Sequence, residues 1–342
     1  MTFATPLDRW TALLLATLGC APVVGCGGRE ADSEDTGGGA GGSDGSDAGT
    51  GTDGMGAAGK GGGIVTGGGQ PPTPQPGRPF LVDGTARQAS ACPNDEWQIA
   101  NTALRTEHLD AAQRLRLAHA WTQVALLEHG SIAAFARFTL QLLALGAPAA
   151  LIEAANAAIA DETTHAQLAF SMASAYADRP VGPGALCIEG ALEASSLRDV
   201  LVATIREGCL GETVSAIQAT EVRQCVTDPA LRAVLTTIAD DETRHAQLSW
   251  RFVQWALGRG DEALEQTARD EFERLRADVD PAPLPTLDAR ELELLAGGAM
   301  PERLGAHIRS ECVKHVILPC AEALLARPSA NAAPRAREAR AS

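Results

Sequence analysis

Between residues 109 and 258, apolar positions recur at intervals of three and four. Leu115, Leu117, Trp121, Ala125, Ile132, Phe135 and Phe138 set the first stripe, and Glu128 falls in the same register. Ala and Leu dominate and strand-type alternation is missing, so the pattern predicts long amphipathic helices. Breakers divide the region into four segments. The first covers about residues 109–144 and ends at Gly146, Ala147 and Pro148. The second runs from about 148 to 177 and ends in DRPVGPG. The third starts at Ser196, a capping residue with Asp199 behind it, and stops near Thr227, Asp228 and Pro229. The fourth continues to Gly258, Arg259 and Gly260. Only a few residues join the first segment to the second and the third to the fourth, whereas about eighteen join the second to the third. That loop order predicts an all-α fold, a four-helix bundle over 109–258 built from two antiparallel hairpins with one long crossover.

The flanks read differently. Residues 259–326 hold a further helical stretch, DEALEQTARDEFERLRADV, then PAPLP, then a helix from Pro301 to about Leu325; these predict accessory helices. Residues 327–342 read as a polar tail and 81–108 as a lead-in. Residues 26–80 are mostly Gly, Ser, Asp, Thr and Pro, with too little apolar surface to offset the entropy of ordering. They read as a disordered tether with a root-mean-square reach of ~40 Å.

At the N-terminus the run WTALLLATLG falls short of the ~20 residues a membrane span needs. Residues 1–25 resemble a bacterial lipoprotein signal, with Val23, Val24 and Gly25 leading to Cys26 as the lipidated residue and Cys20 as the alternative. Arg9 supplies only a weak positive charge beside Asp8. The resemblance implies export and a lipid anchor in the cell envelope, at the outer membrane or periplasmic face, with secretion as the alternative. In that oxidising setting some disulfides are expected among Cys92, Cys187, Cys209, Cys225, Cys312 and Cys320. Cys209 and Cys225 stand ~24 Å apart on one helix and cannot pair. No C-x-x-C pair is present, which argues against a zinc ribbon or a rubredoxin-type iron site. The net charge of -15 argues against nucleic acid as a partner.

Candidate chemistry lies in a repeat. Residues 161–170 read DETTHAQLAF and residues 241–250 read DETRHAQLSW. Residues three apart share a helix face, so Glu162 with His165 and Glu242 with His245 each present a carboxylate and an imidazole together. Apolar neighbours would bury both pairs, and buried carboxylates need a cation or a full set of partners. The preceding helices supply two more acids. Glu128 lies eighteen positions before residue 146 and Glu162 sixteen after; around residue 228, Glu212 lies sixteen before and Glu242 fourteen after. Each pair therefore sits ~21 to 27 Å from its turn, and four helices can present acid at one level. Glu207 competes with Glu212, but five residues turn an α-helix by ~140°, so one of the two faces the centre. Ser131 and Ser215, three residues beyond Glu128 and Glu212, align the repeats in favour of Glu212.

One Glu from each of two helices, with Glu-x-x-His from each of the other two, is the di-metal carboxylate pattern of the ferritin-like bundle. Over residues 109–258 the chain resembles ferritin-like di-iron proteins, close in outline to rubrerythrins. The resemblance implies that Glu162 and Glu242 bridge two metal ions, that Glu128 and Glu212 are terminal ligands, and that His165 and His245 serve one ion each. A second Glu three residues from Glu212 and a Cys-rich iron module are both missing, which departs from rubrerythrin. Hard oxygen ligands with imidazole suit iron, with manganese as the alternative. Asp161 and Asp241 can accept the free ring N–H of a ligand histidine. The lone Tyr176 lies ~16 Å along the helix from His165, too far for a stored radical beside the metals. The expected function is a metal-dependent oxidoreductase acting on O2, peroxide, ferrous iron or a small molecule. The alternative is a non-catalytic, metal-binding or metal-stapled structural protein of the envelope.

Overall fold

A computed structural model of the chain describes residues 7–19, 77–99, 104–193, 195–279 and 282–326. Residues 26–76 of the expected tether, the expected lipidation positions Cys26 and Cys20, and the expected tail at 327–342 lie outside the described residues; the last four tether positions, 77–80, are instead packed, with Arg78 and Phe80 buried, so the folded body starts before the expected boundary at 81. The architecture is predominantly helical, and no described helix is long and apolar enough to cross a membrane.

Local signals place the main helices. Asp110 opens α2 (Ala111–Ala144) with a reciprocal cap to Gln113, and Gly146, at φ 65°, turns the chain into α3 (Ala149–Ala177). Ser196 and Asp199 form the same kind of cap on α4 (Leu197–Ala203). The third segment departs from the expected single α-helix: wide π-helical turns over Thr204–Glu212 separate α4 from α5 (Thr213–Cys225). Asp228 caps α6 (Pro229–Leu257), with Pro229 in its first turn where its missing N–H costs nothing. α2 packs along α3, α5 and the π turns pack along α6, and α3 meets α6. The layers close on an aromatic core of Trp121, Phe135, Phe170, Trp250 and Phe252, all fully buried. Burial of each contributes about 2–3 kcal/mol on apolar area.

Four shorter helices cover the outside: α7 (Glu262–Ala277), α8 (Ala289–Ala296), α9 (Glu302–Cys312) and α10 (Leu318–Leu325), with a π turn over Val313–Ile317 joining the last two. Pro301 stands just before α9, one position earlier than expected. The two-turn α8, closed by the Asp288–Glu291 cap, has no counterpart among the expected elements. Phe272 of α7 stacks on Trp250 with ring centroids 5.7 Å apart. After α8, the Gly297 carbonyl accepts from both Trp121 Nε1 (2.9 Å) and Tyr176 Oη (3.2 Å). That carbonyl ties the outer layer to α2 and α3. The lead-in carries short strands, β1 (Leu81–Val82) with β2 (Thr85–Ala86), and β3 (Ala91–Cys92) with β4 (Gly182–Pro183) from the long connection.

The expected leader contains α1 (Leu7–Thr17). Trp10, Leu14 and Leu18 are buried against the C-terminal helices, Thr11 Oγ1 donates to the His315 carbonyl, and Gln254 Nε2 donates to the Leu18 carbonyl. The expected disulfides do not form among the six described cysteines. Cys312 and Cys320 lie on one nearly continuous helical run, ~12 Å apart along its axis, beyond disulfide reach. Cys209 is a fully buried core thiol, and burial pushes it well above its ordinary pKa.

Candidate metal centre

The six carboxylate and imidazole side chains converge where the two helix pairs meet. Glu128, Glu162, His165 and Glu242 form one group, and Glu162, Glu212, Glu242 and His245 form a second. Within each group one ligand atom from every residue lies within 4.8 Å of all the others. Glu162 and Glu242 belong to both. Glu162, His165, Glu212 and Glu242 are completely buried, His245 is 2 % exposed and Glu128 is 8 % exposed.

Most of the ligand atoms make no hydrogen bond. Among the described residues, neither oxygen of Glu162, Glu212 or Glu242 has a hydrogen bond, and neither does Nδ1 of His165 or His245. His245 Nδ1 is 3.1 Å from Glu162 Oε1, but without hydrogen-bond geometry, so that contact is electrostatic. So many unsatisfied polar atoms facing one another in a dry interior cost several kcal/mol each unless a cation sits among them. The donor set, four carboxylates and two imidazoles, fits a pair of hard divalent ions. The cluster can hold metal, and its two overlapping groups are compatible with a di-metal site.

Each histidine is oriented from the opposite helix. His165 Nε2 lies 3.1 Å from Asp241 Oδ2, and His245 Nε2 lies 3.2 Å from Asp161 Oδ2. With Nε2 of each ring donating to its aspartate, Nδ1 faces the carboxylates, and loss of its proton would free the lone pair for a metal ion. Asp161 and Asp241 each face the histidine of the other repeat. Arg244 fastens the pair, with Nη2 3.0 Å from Asp161 Oδ2 and 2.6 Å from Asp241 Oδ1. Sequence reasoning missed Arg244, although it is the one position within DETTH and DETRH where the copies differ.

Charge in the metal-free cluster is shared with protons. Burial alone would lower His245, yet its contacts with Asp161 and Glu162 raise it to about 9. Burial opposes the charge on His165 too, but Asp241, Glu162 and Glu242 raise it well above the ordinary imidazole value. Burial also works against the Glu162 carboxylate, and the two imidazolium rings outweigh it, holding Glu162 far below the usual range. Glu128 and Glu212 go the other way. Burial and then repulsion from neighbouring carboxylates push both well above it.

Glu207 stays outside the cluster. It is buried beside Arg137, 3.8 Å away, and the π turns rather than an α-helical face separate it from Glu212. His129 packs its ring edge-on to Trp97, and Tyr176 hydrogen-bonds to Gly297, so neither joins the site. Comparison with known protein families, curated proteins and solved structures returns no match for the chain.

Proposed function

We propose that the chain is a ferritin-like, four-helix-bundle protein that binds two metal ions, iron or alternatively manganese, and uses them in oxidation–reduction. The observation that carries this reading is the pair of overlapping Glu/His groups in which, among the described residues, the oxygens of Glu162, Glu212 and Glu242 and Nδ1 of His165 and His245 have no hydrogen-bond partner. Glu162 and Glu242, common to both groups, would be shared between the ions, with Glu128 and His165 holding one and Glu212 and His245 the other. A bound redox-active metal pair supplies electrons to dioxygen or peroxide. The protein's part is to hold the ligands, keep Asp161 and Asp241 on the histidines, and shield the site from bulk water.

The test is oxygen uptake by the ferrous-loaded protein. Oxidation of bound ferrous iron faster than the same iron free in buffer is expected, and a rate no faster than buffer overturns the redox reading.

Export and lipid anchoring belong to the same proposal, carried by the apolar run ahead of Cys26 and the Gly-rich stretch behind it. A processed chain leaves the apolar seat of α1 bare, so processing and α1 docking exclude one another in a single molecule. Mass spectrometry of the chain purified from bacterial membranes should find it beginning at a lipid-modified Cys26. An intact chain beginning at Met1 overturns this.

A further inference from the structure

A buried cation reaches the centre from outside the helix pairs. Arg78 lies in the segment leading to β1 and is 2 % exposed. Its Nε stands 3.6 Å from Glu212 Oε1 and has no hydrogen-bond partner among the described residues. Nη2 donates to Ser249 Oγ at 3.2 Å, one turn beyond His245, whose carbonyl accepts from the same hydroxyl at 3.0 Å. The guanidinium also lies over Phe135 and Phe138, 4.6 and 4.4 Å from the ring centroids.

The seat of Arg78 is built by the π turns. A Cβ on Gly208 would lie 2.6 Å from Arg78 Nη2 and 2.2 Å from Ser249 Oγ, and one on Gly211 would lie 2.2 Å from the Gly77 carbonyl oxygen. Any larger residue at either position closes the space. Gly77 sits at φ 82° and donates its N–H to the Gly211 carbonyl, while Ser131 Oγ donates to the Arg78 carbonyl at 2.9 Å. Backbone and side chain of this segment are both fixed against the centre.

Among the described residues no arginine or lysine matches Arg78 on the other side. Glu128 occupies the equivalent place in the first helix pair, and among the described residues no arginine or lysine lies within 4.0 Å of it; its one ion-pair neighbour is His165, at 3.9 Å. A fixed guanidinium beside Glu212 competes for that carboxylate and raises the potential where a second cation must sit. In a low-dielectric interior this repulsion falls with distance and acts most strongly on the nearer ion.

Resting on the metal-centre reading above, we propose that Arg78 is a positioning residue that makes the two metal positions unequal. The group containing Glu128 and His165 fills first, and the group containing Glu212 and His245 fills second and more weakly.

The test is calorimetric titration of the chelator-treated full chain with Mn²⁺. The wild type should take up two ions with affinities at least tenfold apart. Arg78→Met should tighten the second step about tenfold and bring the two together, while Arg78→Lys keeps them apart. Circular dichroism establishes that each variant folds. If Arg78→Met does not fold, Glu212→Gln should weaken the weak step and Glu128→Gln the tight one. Equal affinities in the wild type, a ratio unchanged in Arg78→Met, or the reverse assignment in the glutamine variants would overturn the proposal while leaving the metal centre standing. A wild type that takes up no ion overturns both.

Discussion

Replacing Glu162 and Glu242 together with alanine should take the chain from about two bound metal ions to fewer than about 0.2, read by elemental mass spectrometry on protein loaded and then desalted. These two residues are the right pair because each belongs to both groups of converging ligands. Without them the first position keeps only Glu128 and His165 and the second only Glu212 and His245. Two donors on a rigid scaffold hold a divalent ion poorly. The same substitution removes two fully buried carboxylates from a cluster of four, so it relieves repulsion in the metal-free protein. It also takes the carboxylate partners from the buried His165 and His245, so the metal-free variant should melt below the metal-free parent, by the equivalent of about 3–5 kcal/mol. Metal loss with intact folding separates a ligand defect from general unfolding. Equal metal content in parent and variant would remove the assignment.

Most of this centre is legible in the DETTH and DETRH repeat alone. Glu-x-x-His at three-residue spacing fixes a helix face, and counting from Gly146 and Asp228 places all four glutamates at one depth. Both inferences need only the rise and pitch of an α-helix. The cap at Ser196 is equally local and falls where the pattern puts it. What the sequence hides depends on contacts between distant segments. Arg78 lies at the end of the stretch read as a disordered tether, and its role depends on a path through Gly208 and Gly211 that no local rule encodes. The π turns over Thr204–Glu212 follow from packing around that path, whereas helix propensity alone predicts an unbroken α-helix. The crossed Asp–His pairing is likewise set by how α3 meets α6. Arg244 is visible as the departure of DETRH from DETTH, but its partners Asp161 and Asp241 come together only in three dimensions.

The cysteines show the limit of inference from compartment. An even number in an exported chain is a reason to expect bridges, yet pairing needs Cα atoms within ~7 Å. Cys209, Cys312 and Cys320 serve as buried apolar side chains, which is the ordinary fate of cysteine in a helical core.

The metal-free protein should lose stability as the pH rises through about 9, and the loaded protein should not. His245 is raised in the folded chain from 6.5 to about 9, so its contribution is complete below 6.5 and disappears as the pH climbs through about 9. At ~1.4 kcal/mol per tenfold, that contribution is roughly 3 kcal/mol. His165 is raised as well and adds in the same direction. Glu128 and Glu212 have carboxyls raised by burial and by neighbouring charge, and a raised carboxyl also costs stability as the pH rises through its folded value. Glu162 alone opposes this. It is depressed, so its contribution is present above about 4.5 and is lost only in strong acid. The metal-free chain should therefore be most stable near pH 4.5, where Glu162 is ionised while the raised carboxyls and both histidines still hold their protons. Bound ions take the place of these protons, because imidazole Nδ1 and carboxylate must both be deprotonated to ligate. Loading at pH 7 should release protons into a weakly buffered solution, and affinity should rise with pH until the histidines have lost theirs. With free metal at about 1,000 times Kd, one site adds ~4 kcal/mol, so the gap between loaded and metal-free melting temperatures should widen from pH 6 to pH 9. Melting curves at unit intervals of pH, with and without metal, decide the matter. Parallel curves, or a gap that narrows towards pH 9, would mean that the protons on His165 and His245 and the metal do not compete for the same atoms.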